Sequence, residues 1–274
     1  MIKNKESIPM TLQPANIFKD VEKIRENAPL VHNITNYVVM NTTANALLAI
    51  GASPVMAHAV QEVEDLAGIA GALVLNIGTL NDGWIDAMFR AAKTAKSKQV
   101  PIVLDPVGAG ATPYRTQTAK DLIQAFAPSI IRGNGSEIMA LCGQSQSTKG
   151  VDSTSESNQA VDAAKTLVRE IGCTVCVTGE TDYIVSAQTL YEVKNGHALM
   201  PRVTGLGCTA TAICGAFAAV NPEFDKAAAH AMAVMGIAGE IAAEISSGPG
   251  TLQVNFIDAL YQLSETDIKK RLKA

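Results

Sequence analysis

Short apolar runs alternate with longer amphipathic segments along most of this chain, and this alternation constrains the fold more than any other feature. Six runs have the length and apolar character of buried strands: PLVHNIT, SPVMAHA, GALVLNIG, VPIVLDPVG, PSIIRGN and CTVCVTG. The segments between them have helical periodicity, as in WIDAMFRAAKTAK and NQAVDAAKTLVREIG. Strands that alternate with helices at this spacing predict an α/β fold with a mainly parallel sheet and helices on both faces.

The length and composition fit one large domain, which we expect to span residues 1–274. The chain is 47% hydrophobic but only 4% aromatic, so Ala, Val, Ile and Leu must fill the core. From TGLGCTATAICGAFAAV onward the pattern is almost entirely helical. The Ser-rich segment 143–159, GQSQSTKGVDSTSESNQ, predicts a surface loop.

Charge and apolar patterning exclude several classes of partner. The chain has 22 basic and 26 acidic residues and no basic run that could follow a nucleic-acid backbone. No apolar stretch approaches the roughly 18 residues of a membrane span, and the N-terminus lacks a signal peptide's apolar region. We therefore expect a soluble, cytoplasmic protein without a nucleic-acid or membrane partner.

The five cysteines are an odd number scattered through strands and helices, so we expect reduced thiols. Cys173 and Cys176 form a C-x-x-C, but they lie in the predicted strand CTVCVTG. Residues three apart in a strand face opposite sides of the sheet. This spacing indicates two ordinary buried thiols.

The segment VTGLGCTAT predicts an anion-binding turn. Gly205 and Gly207 precede small, helix-compatible residues, and the first N–H groups of a helix have no partners within it. Cys208 lies at the edge of this turn. The chain lacks the Gly-x-x-x-x-Gly-Lys-Ser/Thr motif of P-loop proteins, and the loose match of GLGCTA to a dinucleotide fingerprint lacks the strand that would end in its acidic residue.

Carboxylate and amide oxygens near two predicted strand ends suit Mg²⁺. In IRGNGSEI, one helical turn separates Asn134 from Glu137, so both can face one point. Glu137 could equally complement the helix dipole. Asp105, at the end of PIVLDPVGAG, is a second possible oxygen ligand, or a turn residue before Pro106.

Polar and glycine residues follow most of the predicted strands, and ligands of parallel sheets bind at the carboxyl ends of the strands. We expect one crevice to be lined by Asn33, Asn36, Asn76, Gly78, Asp105, Gly108, Arg132, Asn134, Thr178, Gly179 and Glu180.

Together these blocks resemble the ribokinase-like superfamily, and within it the hydroxyethylthiazole kinases of thiamine salvage. The resemblance covers nearly the whole chain. The matching blocks, in order, are PLVHNITNYVVMNTTANALLAIGASPVMAHA, GALVLNIGTL, VLDPVGAGATPYR, IRGNGSEI, VTGETD, VTGLGCTAT and GPGTLQ. The resemblance implies a three-layer α/β/α fold and trimers with active sites at subunit interfaces.

The resemblance also implies an activity: Mg²⁺-dependent phosphorylation, by ATP, of the hydroxyl of 4-methyl-5-(2-hydroxyethyl)thiazole. By motif position, the nucleotide would contact Arg132, Thr178 and Gly179. The metal and its waters would be handled by Asp105, Asn134 and Glu137. The transferred phosphoryl group would meet Gly205, Gly207 and Cys208. The thiazole would be bordered by Asn33, Met56 and Gly205.

Two of these residues have alternative interpretations. Met56 suits a sulfur-containing aromatic ring, but taken without its surrounding block it is more typical of a core residue. Cys208 occupies a position where many sugar kinases of the superfamily have Asp, and the thiazole and hydroxymethylpyrimidine kinases commonly have Cys. ATP's negative charge opposes formation of a thiolate, so our hypothesis is that Cys208 mainly orients the hydroxyl.

Three other functions remain open from the sequence. The first is a hydroxymethylpyrimidine kinase of the same fold, against which the 30–59 block argues. The second is an ATP-dependent dehydratase of damaged nicotinamide cofactors, which Cys208 disfavours because it stands in place of an acid. The third is a non-catalytic binder, for which a metal and phosphate clamp would have no purpose.

Overall fold

The computed structural model describes residues 8–143 and 153–274. The strands are β1 Ile8–Met10, β2 Leu30–Ile34, β3 Ser53–Val55, β4 Ala72–Asn76, β5 Ile102–Asp105, β6 Ile130–Asn134, β7 Thr174–Thr178, β8 Asp182–Val185 and β9 Thr189–Val193. The helices are α1 Pro14–Asn27, α2 Met40–Ile50, α3 Val63–Ile69, α4 Asp82–Ser97, α5 Pro113–Phe126, α6 Gly135–Leu141, α7 Ser153–Ile171, α8 Leu206–Val220, α9 Phe224–Glu244, α10 Pro249–Gln262 and α11 Glu265–Arg271.

The strands form one sheet in the order β1-β9-β8-β7-β6-β5-β4-β2-β3. Strand β8 pairs antiparallel with both of its neighbours, and the other pairs are parallel. This confirms the predicted mainly parallel sheet. Consequently, the carboxyl ends of β2, β4, β5, β6 and β7 all lie at the same edge.

Two apolar cores cover the two faces of the sheet, which makes three layers. One core joins Val74 and Val103 to α1, α2 and α8 to α10, and the other joins Leu75 and Leu104 to α3 to α7. Consecutive strand residues therefore alternate between the cores, because side chains of a strand point to opposite faces. Cys176 lies in the first core and Cys173 in the second, both as buried free thiols, as the sequence predicted.

Helices α8 and α9 are almost completely buried and consist largely of Ala, Gly and other small or apolar residues. They pack against one another and α8 packs on the sheet, which places the amino end of α8 at the carboxyl ends of the strands. None of the helices in residues 8–143 and 153–274 combines the length and the apolar character that crossing a bilayer requires.

The structure departs from the predicted elements at three places. Strands β1, β8 and β9 and helix α1 were not predicted, and only Ser53–Val55 of SPVMAHA is a strand. The surface-loop prediction for 143–159 is wrong over 153–159, which begin α7; residues 144–152 of that prediction lie outside the described residues. A polar helix start precedes the apolar face that begins at Ala160 and Val161, so the composition of the segment resembled a loop.

Candidate active site

The predicted glycine turn begins α8 at the carboxyl edge of the sheet. Gly205 is the residue before the helix and has φ of +85°, and a Cβ there would lie 2.6 Å from Cγ1 of Val39. Only glycine meets both conditions without strain. A Cβ at Gly207 would lie 3.1 Å from Nη1 of Arg132, so this guanidinium faces the first turn of α8. Unpaired helix N–H groups beside an arginine form an anion site.

Arg132 and Thr178 lie on the neighbouring strands β6 and β7, and their side chains are in contact. Nη2 of Arg132 donates a 2.6 Å hydrogen bond to Oγ1 of Thr178. Burial alone would lower the pKa of Arg132, but the neighbouring Asp105 carboxylate raises it, so the guanidinium is charged. Its Nε is buried and has no hydrogen-bond partner among the residues that the structure describes. Gly179 follows directly, and its N–H donates to Oδ1 of Asp182 at 3.0 Å.

Asp105 is buried at the end of β5, and its two carboxylate oxygens differ in their hydrogen-bond partners. Oδ2 accepts hydrogen bonds from Nδ2 of Asn76 at 2.8 Å and from Oγ1 of Thr211 at 2.7 Å. Oδ1 is buried and has no hydrogen-bond partner within residues 8–143 and 153–274. Burial raises the pKa of Asp105 to about 7, although the charge of Arg132 acts in the opposite direction. A buried, unpartnered carboxylate oxygen is costly unless a ligand or cation meets it.

Asn134 and Glu137 form a capping box at the start of α6. Oδ1 of Asn134 accepts from N of Glu137 at 2.9 Å and from Oγ of Ser136 at 2.7 Å, which uses both lone pairs of the amide oxygen. Asn134 thus caps α6 through this oxygen, and its predicted role toward the metal stays a prediction. Oε2 of Glu137 accepts from N of Asn134, and Oε1 from N of Gly108, each at 2.9 Å.

Asp105 and Glu137 fit a magnesium ion. The negative charge of Glu137 helps to raise the pKa of Asp105, so the two carboxylates lie within electrostatic range of each other. Mg²⁺ is usually bound by one or two carboxylates together with phosphate oxygens and several waters. Within residues 8–143 and 153–274, no three His, Cys, Asp or Glu side chains are grouped closely enough to hold a metal by themselves. The free Oδ1 of Asp105 is the strongest candidate ligand.

Cys208 lies on the first turn of α8 beside two asparagines. Nδ2 of Asn36 lies 3.5 Å from its sulfur and also donates to Oδ1 of Asn76 at 2.8 Å. Burial and the Asp105 charge raise the pKa of the thiol, whereas hydrogen bonds from Asn76 and Asn36 and the charge of Arg132 lower it less. The thiol is therefore neutral at pH 7. Sequence reasoning placed Asn36 and Asn76 in the crevice from their strand-end positions but gave them no role toward the sulfur.

A cavity of about 920 Å³ extends from Arg132 and the first turn of α8 toward α9. Its polar end is lined by Arg132, Asn134, Thr178, Gly179, Gly205 and Gly207, and its apolar end by Ala198, Met200, Val203, Met232, Met235 and Gly236. A polar end beside an apolar one suits a ligand that joins phosphates to an aromatic base.

Of the three predicted thiazole contacts, Gly205 lines this cavity, whereas Asn33 and Met56 lie outside its lining. Asn33 is fully buried in β2, where Nδ2 donates to the carbonyl of Val31 at 2.9 Å and Oδ1 has no hydrogen-bond partner in the described part of the chain. Met56 follows β3 and packs, half-buried, against the core on the α8 side of the sheet. The core interpretation of Met56 thus holds for part of its surface, and its role toward a substrate stays a prediction.

A sequence profile of the hydroxyethylthiazole kinase family matches residues 21–266. The chain belongs to the hydroxyethylthiazole kinase family. The matched range contains every residue of the site, from Asn33 to Cys208. Similar chains named hydroxyethylthiazole kinase include one from Syntrophus aciditrophicus, 60% identical over 96% of this chain and 98% of the relative, and one from Leptospira biflexa, 53% identical over 94% and 97%.

Solved structures agree with this family and with the predicted fold. A hydroxyethylthiazole kinase protein from Pyrococcus horikoshii OT3 superposes with a TM-score of 0.88 at 44% identity, covering 94% of this chain and 98% of the other. A ribokinase-like superfamily protein from Enterococcus faecalis V583 gives a TM-score of 0.63 at 15% identity, covering 97% of this chain and 99% of the other. The second likeness shows the fold alone: this member of the hydroxyethylthiazole kinase family has the ribokinase-like architecture.

Proposed function

We propose that this protein transfers the γ-phosphoryl group of ATP to the hydroxyl of 4-methyl-5-(2-hydroxyethyl)thiazole. The observation that carries the proposal is the contact between Arg132 and the first turn of α8, beside Asp105 and Cys208, in a chain of the hydroxyethylthiazole kinase family. A guanidinium and unpaired helix N–H groups stabilise the charge that phosphoryl transfer spreads over the phosphate oxygens.

Each residue has a part in this reaction. Arg132, held by Thr178, binds phosphate oxygens of the nucleotide, and the N–H groups that follow Gly205 bind the transferred group. Asp105 and Glu137 would hold Mg²⁺, which supplies positive charge to the phosphates when bound. The sulfur of Cys208, as a neutral thiol, orients the acceptor hydroxyl. The acceptor oxygen forms the new bond to phosphorus, the bond to ADP breaks, and the hydroxyl proton passes to solvent.

The first experiment is Mg²⁺-dependent ADP release with two acceptors, the hydroxyethylthiazole and hydroxymethylpyrimidine. A strong preference for the thiazole supports the proposal. Release with the pyrimidine alone would keep the kinase reaction and overturn the acceptor. No release with either, combined with ATP hydrolysis that depends on a hydrated nicotinamide cofactor, would point to the dehydratase instead.

We also propose that the protein is one kinase domain that assembles as a cytoplasmic trimer. Exposed apolar side chains support an interface: Tyr37 and Val38 follow β2 near the site, and Leu48 and Val254 lie on α2 and α10, which pack together. Sedimentation equilibrium tests the assembly. Val254→Glu is expected to shift the equilibrium between trimer and monomer toward the monomer. A wild-type protein that is monomeric would overturn the proposed trimer.

A further inference from the structure

The C-terminal residues of the chain are bound to the wall of the cavity. The backbone N of Lys194 donates to the carbonyl of Lys273 at 2.8 Å, and N of Lys273 donates to Oδ1 of Asn195 at 2.8 Å. Nδ2 of Asn195 donates to the carbonyl of Arg271 at 2.7 Å. We call Arg271–Lys273, together with Asn195 and Glu240, the C-terminal clasp.

Glu240 of α9 completes the clasp. Its Oε1 accepts hydrogen bonds from Nδ2 of Asn195 at 3.1 Å, N of Gly196 at 3.0 Å and Nζ of Lys273 at 2.9 Å. One carboxylate oxygen therefore joins α9, the loop after β9 and the C-terminus. Asn195 is only 6% exposed, so both of its polar atoms depend on these partners for their hydrogen bonds.

The clasp holds the 194–198 loop, which forms one wall of the cavity. This loop faces Met232, Met235 and Gly236 of α9, which also line the cavity. The loop lies so close to α9 that a Cβ at Gly236 would be 2.5 Å from the carbonyl oxygen of Asn195. Arg271, Glu240 and Lys273 do not themselves line the cavity, so they act through the loop.

The order of the strands places the 194–198 loop about as far from Thr178 as the base of a nucleotide lies from its phosphates. Strand β7 carries Thr178 at its carboxyl end, and β9, which ends just before Lys194, is two strands farther along the sheet. Two strand spacings amount to about 10 Å. A nucleotide whose phosphates meet Arg132 and Thr178 would reach the 194–198 loop with its base.

We propose that Asn195 and Glu240 are positioning residues that hold the 194–198 loop against the base of the nucleotide, through the C-terminal clasp. This inference rests on the proposed function, because it takes the cavity as the nucleotide site. Loss of the clasp should weaken contacts to the base and leave those to the phosphates intact.

The test measures binding of a fluorescent ADP analogue to the full-length protein, with tripolyphosphate as competitor, in the presence of Mg²⁺. Asn195→Ala and Glu240→Gln are compared with Glu223→Gln. Glu223 is the matched control, because it is an exposed residue directly before α9 and pairs at 2.6 Å with Lys226, outside the clasp. Glu240→Gln keeps the side-chain size and an oxygen acceptor but removes the negative charge that strengthens the three hydrogen bonds to Oε1, so it tests the loop even where Asn195→Ala perturbs folding.

We expect Asn195→Ala and Glu240→Gln to weaken ADP-analogue binding about fivefold to tenfold, the size of one lost hydrogen bond or a little more. The KM for ATP should rise similarly while the KM for the acceptor and tripolyphosphate binding stay unchanged. Glu223→Gln should match the wild type. The positioning role is overturned if Asn195→Ala and Glu240→Gln both bind the analogue as tightly as the wild type does. It is also overturned if their binding of tripolyphosphate falls in parallel with their binding of the analogue. A wild type that binds neither ligand would overturn the proposed function itself.

Discussion

The side-chain nitrogen of Asn36 lies 3.5 Å from the sulfur of Cys208, at hydrogen-bonding distance for a sulfur acceptor. The same nitrogen donates to Oδ1 of Asn76, which in turn binds Asp105 through its own amide group. Because Oδ1 of Asn76 also accepts from the backbone N–H of Gly78 at 3.0 Å, the orientation of this amide is fixed. The thiol is thereby connected to the buried carboxylate through two asparagines.

Alkylation of Cys208 by iodoacetamide should increase steadily with pH through pH 9, without a plateau at lower pH. Burial and Asp105 raise the pKa of this thiol above its ordinary value, so the reactive thiolate forms only in alkaline solution. Mass spectrometry of the Cys208 peptide separates its rate from those of the other four thiols. In the wild type the hydrogen bond from Asn36 lowers the pKa of the Cys208 thiol. Asn36→Ala should therefore raise this pKa and slow alkylation at pH 8.5. A plateau of the alkylation rate below pH 8 would instead show that the thiolate forms near neutral pH, and would support Cys208 as a general base.

Arg132→Lys should lower kcat/KM for ATP by about a hundredfold, the effect of removing one group that stabilises transition-state charge. A single ammonium cannot hold Thr178 and grip phosphate oxygens in the manner of the planar guanidinium. Thr178→Val, which removes one 2.6 Å hydrogen bond, should cost about fivefold. Steady-state kinetics with varied ATP measures both. Arg90→Lys is the control, because Arg90 forms an exposed ion pair with Asp86. An equal loss of kcat/KM in all three variants would contradict a role of Arg132 in binding ATP.

Much of this site follows from strand ends alone. The runs that end at Asn76, Asp105, Asn134 and Thr178 are strands in the structure, and parallel pairing brings their ends to one edge. The glycine turn before Cys208 also begins a helix, as predicted. These features are local, since periodicity and turn residues determine them within a few positions.

The partners of individual atoms could not be predicted. Glu137 could serve a metal or the start of its helix, and only the hydrogen bonds to Asn134 and Gly108 show that the cap is formed. Asn195 binds Glu240 and the carbonyl of Arg271, which are 45 and 76 positions away. Contacts of such separation depend on how whole elements pack, which no local pattern records.

Asp105→Asn should stabilise the metal-free protein at pH 8. The carboxyl has a pKa of 3.8 in the unfolded chain and about 7 when folded, so the folded protein retains a proton that the unfolded chain loses. Stability therefore falls as pH rises from about 4 to 7, and the penalty is complete above that range. Thermal unfolding at pH 8 should show a higher Tm for the variant, and at pH 5 a smaller difference.

Mg²⁺ provides the second arm of this experiment. It should raise the Tm of the wild type more than that of Asp105→Asn, because a bound cation neutralises the buried carboxylate. Asp86→Asn, at an exposed position, should respond as the wild type does. An equal effect of Mg²⁺ on all three proteins would exclude Asp105 as a metal ligand.

Asp20→Asn should lower the free energy of unfolding at pH 7 by about 3 kcal/mol, because it breaks a buried charged network. Oδ2 of Asp20 accepts from Nδ1 of His230 at 2.8 Å and from Asn221 at 2.6 Å, and Oδ1 accepts from Lys23 at 2.8 Å. Burial alone would raise the pKa of Asp20, but these hydrogen bonds outweigh it and lower the pKa to about 2. The contribution is thus present above about pH 4 and is lost as pH falls toward 2. Urea unfolding at pH 7 and pH 3 should show a smaller difference at the lower pH, and a variant within about 0.5 kcal/mol of wild type at pH 7 would show that the network adds nothing.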